Sequence, residues 1–156
     1  MASQVMTTEL NSPQAMRSFA SSLGQNLKGG ELIELSSDLG GGKTTFVKGL
    51  VVGAGSQDLV SSPSFTIRND YLGSKFDIAH FDFYRLNEAG IIKDMLTEVL
   101  NDPAYVTVIE WGGLVQDVLP DKHIKLDIQI SGEDARRVTI DCPEQFSYVL
   151  KGVKAA

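Results

Sequence analysis

Three glycines, a lysine and two threonines stand together at Gly40-Gly41-Gly42-Lys43-Thr44-Thr45, directly after the apolar run Leu32-Ile33-Glu34-Leu35. Glycines let a backbone curl so that successive N–H groups converge on an anion. The apolar-periodic segment Phe46 to Val52 follows, so the order is strand, loop, helix. A helix starting there turns unpaired N–H groups and a partial positive charge toward the same anion. Lys43 is then placed for the β and γ phosphates of a nucleotide, and the Thr44 hydroxyl for its magnesium ion. The G-x-x-x-x-G-K-[ST] pattern fails only at its first letter, where Ser37 stands in place of glycine. A serine there costs roughly 1 kcal/mol or more if the position needs φ > 0.

Hydrolysis needs groups that hold metal and orient water, and two carboxylates are suitably placed. Glu110 follows the β-branched run Tyr105-Val106-Thr107-Val108-Ile109 and leaves it at the same edge as Ser37, where phosphate-loop proteins carry a metal-holding acid. Asp82 stands near the end of its own strand in Ala79-His80-Phe81-Asp82-Phe83-Tyr84-Arg85. It reads as a group that orients water or completes the outer shell of the metal, or as an ion-pair partner of Arg85. His80 alternates onto the face of Asp82 and reads as a partly buried strand histidine. Trp111, directly after Glu110, either lines the nucleotide pocket or packs. Ser62, Ser64 and Thr66 follow a polar, turn-rich loop; they read equally as the hydroxyls of a switch loop that closes on the γ-phosphate and as ordinary turn and strand residues.

These groups need elements to position them. Ser12-Pro13 reads as an N-cap and first helical residue, followed by apolar residues at helical spacing (Ala15, Met16, Phe19, Ala20, Leu23, Leu27) up to Lys28-Gly29-Gly30. A strand over about Glu31 to Ser36 leads into the loop, and the helix after it fades near Gly53-Ala54-Gly55. Ser64 to Tyr71 and Lys75 to Phe83 form one hairpin, and His123 to Ser131 with Ala135 to Asp141 a second. Asn87 to Leu100 is helical in pattern, Tyr105 to Ile109 suits a strand buried on both faces of a parallel sheet, Leu114 to Leu119 is a short segment, and Pro143 to Lys151 forms a closing helix. The fold class is α/β, a phosphate-loop sheet with a parallel centre, added antiparallel hairpins and flanking helices. Its ligands bind beyond the carboxyl ends of the central strands.

Composition bounds the rest. At 156 residues the chain is expected to form a single domain over 1–156 with a core of its own. Its net charge of −6, with scattered Lys and Arg, disfavours strong direct nucleic-acid binding and favours protein partners. No apolar run is long enough to cross a bilayer, and Met1 to Gln14 lacks the features of a secretory signal. The lone Cys142 reads as a bystander thiol in a reducing cytoplasm, and two isolated histidines with one cysteine exclude a Cys/His zinc site.

Four blocks together resemble one family, the small TsaE (YjeE-type) ATPases of bacterial tRNA threonylcarbamoyladenosine synthesis. They are Asp38-Leu39-Gly40-Gly41-Gly42-Lys43-Thr44-Thr45, Ser62-Pro63-Ser64-Phe65-Thr66, His80-Phe81-Asp82-Phe83-Tyr84-Arg85-Leu86 and Val108-Ile109-Glu110-Trp111. They stand in the family's order at similar spacing and span about residues 31 to 120. The resemblance implies binding of ATP or ADP with Mg²⁺ and slow hydrolysis by the protein alone. It also implies docking on the TsaB–TsaD pair, which modifies adenosine 37 of certain tRNAs. It places residues 38 to 45 around the nucleotide, Lys43 on the phosphates, Thr44 and Glu110 at the metal, Asp82 in hydrolysis, Ser62 to Thr66 as the switch loop and Trp111 near the nucleotide. The sequence departs from the family at Ser37, Ser64 and Met16, and its helix after Arg85 lacks the usual acidic and Leu-Gly signature.

Two other functions use the same loop. A small-molecule kinase needs a lid and an acceptor site, and no arginine-rich lid is evident. A nucleotide-dependent interaction module without turnover does not need both Asp82 and Glu110. A GTPase is disfavoured because no Asn-Lys-x-Asp segment occurs.

Overall fold

Short β-branched runs and amphipathic helices alternate along this chain, and they assemble into a seven-stranded sheet with helices on both faces. The computed structural model describes residues 3–37, 40, 42–61, 67–83 and 90–153. In chain order the elements are β1 (Ser3–Leu10), α1 (Pro13–Asn26), β2 (Leu32–Ser37), α2 (Lys43–Gly53), β3 (Arg68–Tyr71), β4 (Asp77–Asp82), α3 (Gly90–Val99), β5 (Tyr105–Glu110), β6 (Ile124–Ile130) and β7 (Arg136–Pro143). Two 3-10 helices, Gly112–Val118 and Glu144–Leu150, follow β5 and β7.

The strand order is β1-β7-β6-β2-β5-β4-β3. The four strands β6, β2, β5 and β4 run parallel, while β7 joins β6 and β1, and β3 joins β4, as antiparallel pairs. Parallel centre and added hairpins therefore stand as the sequence predicts. The central strands need apolar residues on both faces, which β5 supplies with Val106, Val108 and Ile109 fully buried. One face packs on α1 and α2 through Phe19, Leu23, Phe46, Val47 and Leu50, the other on α3 through Ile92, Leu96 and Val99.

Local chemistry explains most boundaries. The Ser12 side chain accepts from Ala15 N at 3.0 Å, capping α1, and Pro13 fills its first position. After α1, the buried Glu31 carboxylate accepts from Lys28 N, Gly29 N and the Tyr148 hydroxyl, fixing the turn into β2 and the C-terminal segment together. One element differs: β1 is a strand the sequence reading does not assign, an edge strand paired with β7. The closing helix forms as a 3-10 helix over Glu144–Leu150, and α3 is described from Gly90, while the expected N-cap Asn87 lies outside the described residues.

Helices α1 and α2 cross at backbone contact through glycines. A Cβ on Gly49 would fall 2.3 Å from the Arg17 carbonyl oxygen, and one on Gly53 2.1 Å from that of Ser21. Gly53→Ala is therefore expected to lower stability by about 1–3 kcal/mol through overpacking. Gly90→Ala, whose Cβ meets nothing within 4 Å, should change it little. Paired urea melts of the two variants check this.

Candidate functional site

The parallel strands end together at one edge of the sheet, and their register decides what meets there. Leu35 of β2 stands beside Glu110 of β5, and Glu110 beside Asp82 of β4. Strand alternation puts Asp82 and His80 on the face of Ile78, and Glu110 on that of Val106 and Val108. Those apolar neighbours pack in the cluster that holds Phe46, Val47 and Leu50 of α2. Both carboxylates thus lie on the α2 side of the sheet, and both are buried.

From Ser37 the chain leaves β2 and re-enters as α2 at Lys43. Gly40 and Gly42 take φ of 77° and 104°, the left-handed conformation that glycine adopts without strain. Gly42 is the N-cap, its carbonyl accepting from Phe46 N at 2.9 Å, and no side chain among the described residues caps the first turn. N–H groups left open at a helix start form an anion seat. Ser37 is a strand residue paired with Ile128, and it is not among the residues with positive φ. Serine in place of the opening glycine therefore carries no backbone strain here. Asp38, Leu39 and Gly41 lie outside the described residues, as do Ser62, Ser64, Thr66 and Arg85.

Lys43 projects its Nζ over the Trp111 ring, 4.8 Å from the centroid. The two side chains line a cleft of about 230 Å³ with Glu34, Leu35, Ser36, Ser37 and Gly113. Trp111 thus forms part of the wall of this cleft. Its backbone is left-handed (φ 59°, ψ 52°), unusual for a bulky residue, and strain of this kind concentrates at functional sites. Thr44 and Thr45 follow Lys43 in the first turn of α2, and Thr45 borders a smaller recess with Ser12, Pro13, Met16, Gly42, Asp134 and Arg136.

Glu110 is not isolated. His80 Nε2 lies 2.5 Å from its Oε2, and the imidazole is wholly buried. Nδ1 of the same ring is 3.3 Å from the Tyr71 hydroxyl, which donates to the Ser61 carbonyl at 2.9 Å. Asp82 N donates to Ile67 O, and Phe83 N to Glu110 O, which ties the ends of β4 and β5 together. No group of three or more His, Cys, Asp or Glu among the described residues is arranged to hold a metal. The donors at this edge are hydroxyl and carboxylate oxygens, which suit magnesium shared with phosphate oxygens rather than a protein cage.

Glu34, a cleft residue that sequence reasoning missed, is held by two side chains from the opposite end of the chain. His123 Nε2 lies 2.8 Å from Oε1, and Gln116 donates to Oε2 at 2.7 Å. The one available signal was an acid in the middle of an otherwise apolar strand run. The hydrogen bond to His123 is the largest influence holding the Glu34 carboxyl below its ordinary value; burial opposes it, and Gln116, the His123 charge and Lys125 reinforce it. A carboxyl depressed in the folded state contributes stability above its unfolded pKa and loses it as pH falls through the folded value. Thermal melts across the acid limb should therefore show a shallower loss of stability for Glu34→Gln than for the wild type. Curves of equal slope would show that this pair does not set the acid sensitivity.

Comparison with known proteins converges on one family. The family model described as threonylcarbamoyl adenosine biosynthesis protein TsaE matches residues 10–138. The chain is similar to the tRNA threonylcarbamoyladenosine biosynthesis protein TsaE of Bacillus subtilis, 32% identical over 127 residues, covering 81% of this chain and 79% of the relative. Similarity to the protein of the same description from Treponema pallidum is 33% over 118 residues, covering 76% and 87%. The crystal structure of Bacillus subtilis YdiB superposes with a TM-score of 0.82 at 25% identity, covering 98% of this chain and 96% of that one.

Proposed function

This chain belongs to the TsaE family of tRNA threonylcarbamoyladenosine biosynthesis, and on that premise we propose that it is the pathway's magnesium-dependent ATP-binding and hydrolysing subunit. In this reading it works in the cytoplasm, docks on the TsaB–TsaD pair, and resets or drives their cycle without transferring the threonylcarbamoyl group itself. The reading rests above all on one juxtaposition: Lys43, at the start of the helix after the glycine loop, shares a cleft with Trp111, and Trp111 directly follows the carboxylate that stands in register with Asp82.

The loop N–H groups and Lys43 would bind the β and γ phosphates of ATP or ADP, with Trp111 as a wall of the site. The small recess where Pro13 and Met16 meet Ser12, Thr45, Asp134 and Arg136, beside Gly42, would take the base. Thr44 and Glu110 would hold magnesium, which when bound neutralises charge on the phosphate oxygens. Asp82, buried beside Glu110 at the strand end, would orient the attacking water. Ser62, Ser64 and Thr66 are proposed as the switch segment that responds to the γ-phosphate. Among the described residues no helix is long and apolar enough to cross a membrane.

The test is ATP hydrolysis by the purified protein with magnesium, alone and mixed with TsaB and TsaD from the same organism. Slow turnover alone, stimulated by the pair and lost in Asp82→Ala, is the expected result. Nucleotide binding without hydrolysis in either condition would replace this reading with that of an interaction module. Transfer of phosphate to a defined metabolite would make the protein a kinase.

A further inference from the structure

A buried polar chain crosses three strands on the α2 side of the sheet, from Glu110 on β5 through His80 on β4 to Tyr71 on β3, and ends at the Ser61 carbonyl. We propose that His80 is a positioning residue for the nucleotide-bound metal: it holds Oε2 of Glu110 so that Oε1 is presented as the ligand, and Tyr71 holds the imidazole. The proposal rests on the magnesium-ATP reading above.

Stability alone does not account for the pair. His80 is wholly buried, and Glu110 and Tyr71 are nearly so. The next inward positions on the same face are Ile78 and Val108, so an apolar side chain would suit this layer. Replacing a buried charged or polar pair by well-packed apolar residues is often neutral or stabilising, so such a pair is weak support for a purely structural role. What the pair does supply is orientation. A carboxylate at a strand end rotates freely about its terminal bond unless a partner fixes one oxygen. His80 Nε2 at 2.5 Å does that, and the imidazole in turn cannot swing without losing the Tyr71 hydroxyl at 3.3 Å. The hydroxyl is anchored on Ser61, and Asn69 reaches the same residue through contacts to its carbonyl and side-chain oxygens. Groups that orient a ligating carboxylate, without touching the ion, typically change metal affinity about 10- to 100-fold when removed.

The experiment follows Trp111, the only tryptophan, by fluorescence during magnesium titration of the full-length protein with ADP or a non-hydrolysable ATP analogue. His80→Phe, which fills the space without a donor, should raise the half-saturating magnesium concentration about 10- to 100-fold. Nucleotide binding without metal should stay unchanged, His80→Gln should recover part of the loss through its amide donor, and Tyr71→Phe should shift magnesium dependence in the same direction by less. A folded His80→Phe protein with wild-type magnesium dependence overturns the proposal. If the wild type shows no magnesium-dependent nucleotide binding while Glu110→Gln behaves identically to it, the functional reading fails first.

A second measurement needs no variant. The protein has two histidines, so the ¹⁵N resonances of His80 and His123 are readily assigned. Adding magnesium to the nucleotide-saturated protein should move the His80 Nε2 resonance beyond its position with nucleotide alone. An unmoved His80 signal at saturation overturns the proposal even where every His80 variant fails to fold.

Discussion

Lys43→Ala should weaken nucleotide binding roughly 30- to 150-fold, equivalent to about 2–3 kcal/mol, the ordinary worth of a hydrogen bond to a charged group. The lysine opens α2, where the loop glycines and a first turn that no side chain among the described residues caps already favour an anion, and its ammonium is held over Trp111 at 4.8 Å. That placement keeps the charge over the cleft before ligand arrives, so less side-chain freedom is lost on binding. Alanine would strip the charge and also the cation–π partner of Trp111, so calorimetry rather than fluorescence is the suitable readout. Lys48→Ala provides the control: it removes the same charge from an exposed position on the same helix and should leave affinity unchanged. Equal losses in the two variants would show that only net charge matters and that Lys43 does not contact phosphate.

Glu110 variants should separate metal chemistry from folding. Glu110→Gln keeps an oxygen for the His80 N–H but removes the negative charge, so magnesium-dependent hydrolysis should fall about 100-fold or more, at the upper end of what loss of a metal-site group costs, with little change in melting temperature. Glu110→Ala should lose the same activity and, in addition, about 1–3 kcal/mol of stability, because a buried imidazole donor is left without its partner. Some nucleotide affinity should survive in both, since Lys43 and the loop remain. Normal hydrolysis by a folded Glu110→Gln protein would remove Glu110 from the metal site altogether. Paired steady-state ATPase assays and thermal melts read both quantities.

The candidate site was legible to different depths. Lys43, Thr44, Asp82, Glu110 and Trp111 stood out because loop glycines, a strand before them and an acid at a strand end are local signals with a known chemical use. The concern raised by Ser37 dissolved only when its backbone proved to be that of a strand residue. Glu34 was missed because its partners, Gln116 and His123, stand 82 and 89 residues away in sequence. His80 was placed on the correct face, yet its bond to Glu110 depends on the β4–β5 register, in which each β4 residue through Asp82 has its own partner on β5.

The sequence by itself determined the parts that local interactions decide. Ser12 and Pro13 start α1, glycines turn the chain between β2 and α2, and apolar periodicity distinguishes the buried strand β5 from the amphipathic helix α1. These depend on side chains within a few residues of one another, and such short-range terms act before any tertiary contact forms. Only the tertiary structure decided that Ser3–Leu10 is a strand, because an edge strand with an exposed first half takes its stability from pairing with β7, more than a hundred residues downstream. It also decided that α1 and α2 meet at their glycines, and that Glu110, His80 and Tyr71 form one buried chain. Each of these rests on hydrogen bonds or close contacts between distant segments, whose formation is fixed by strand register and helix docking rather than by the composition of either segment.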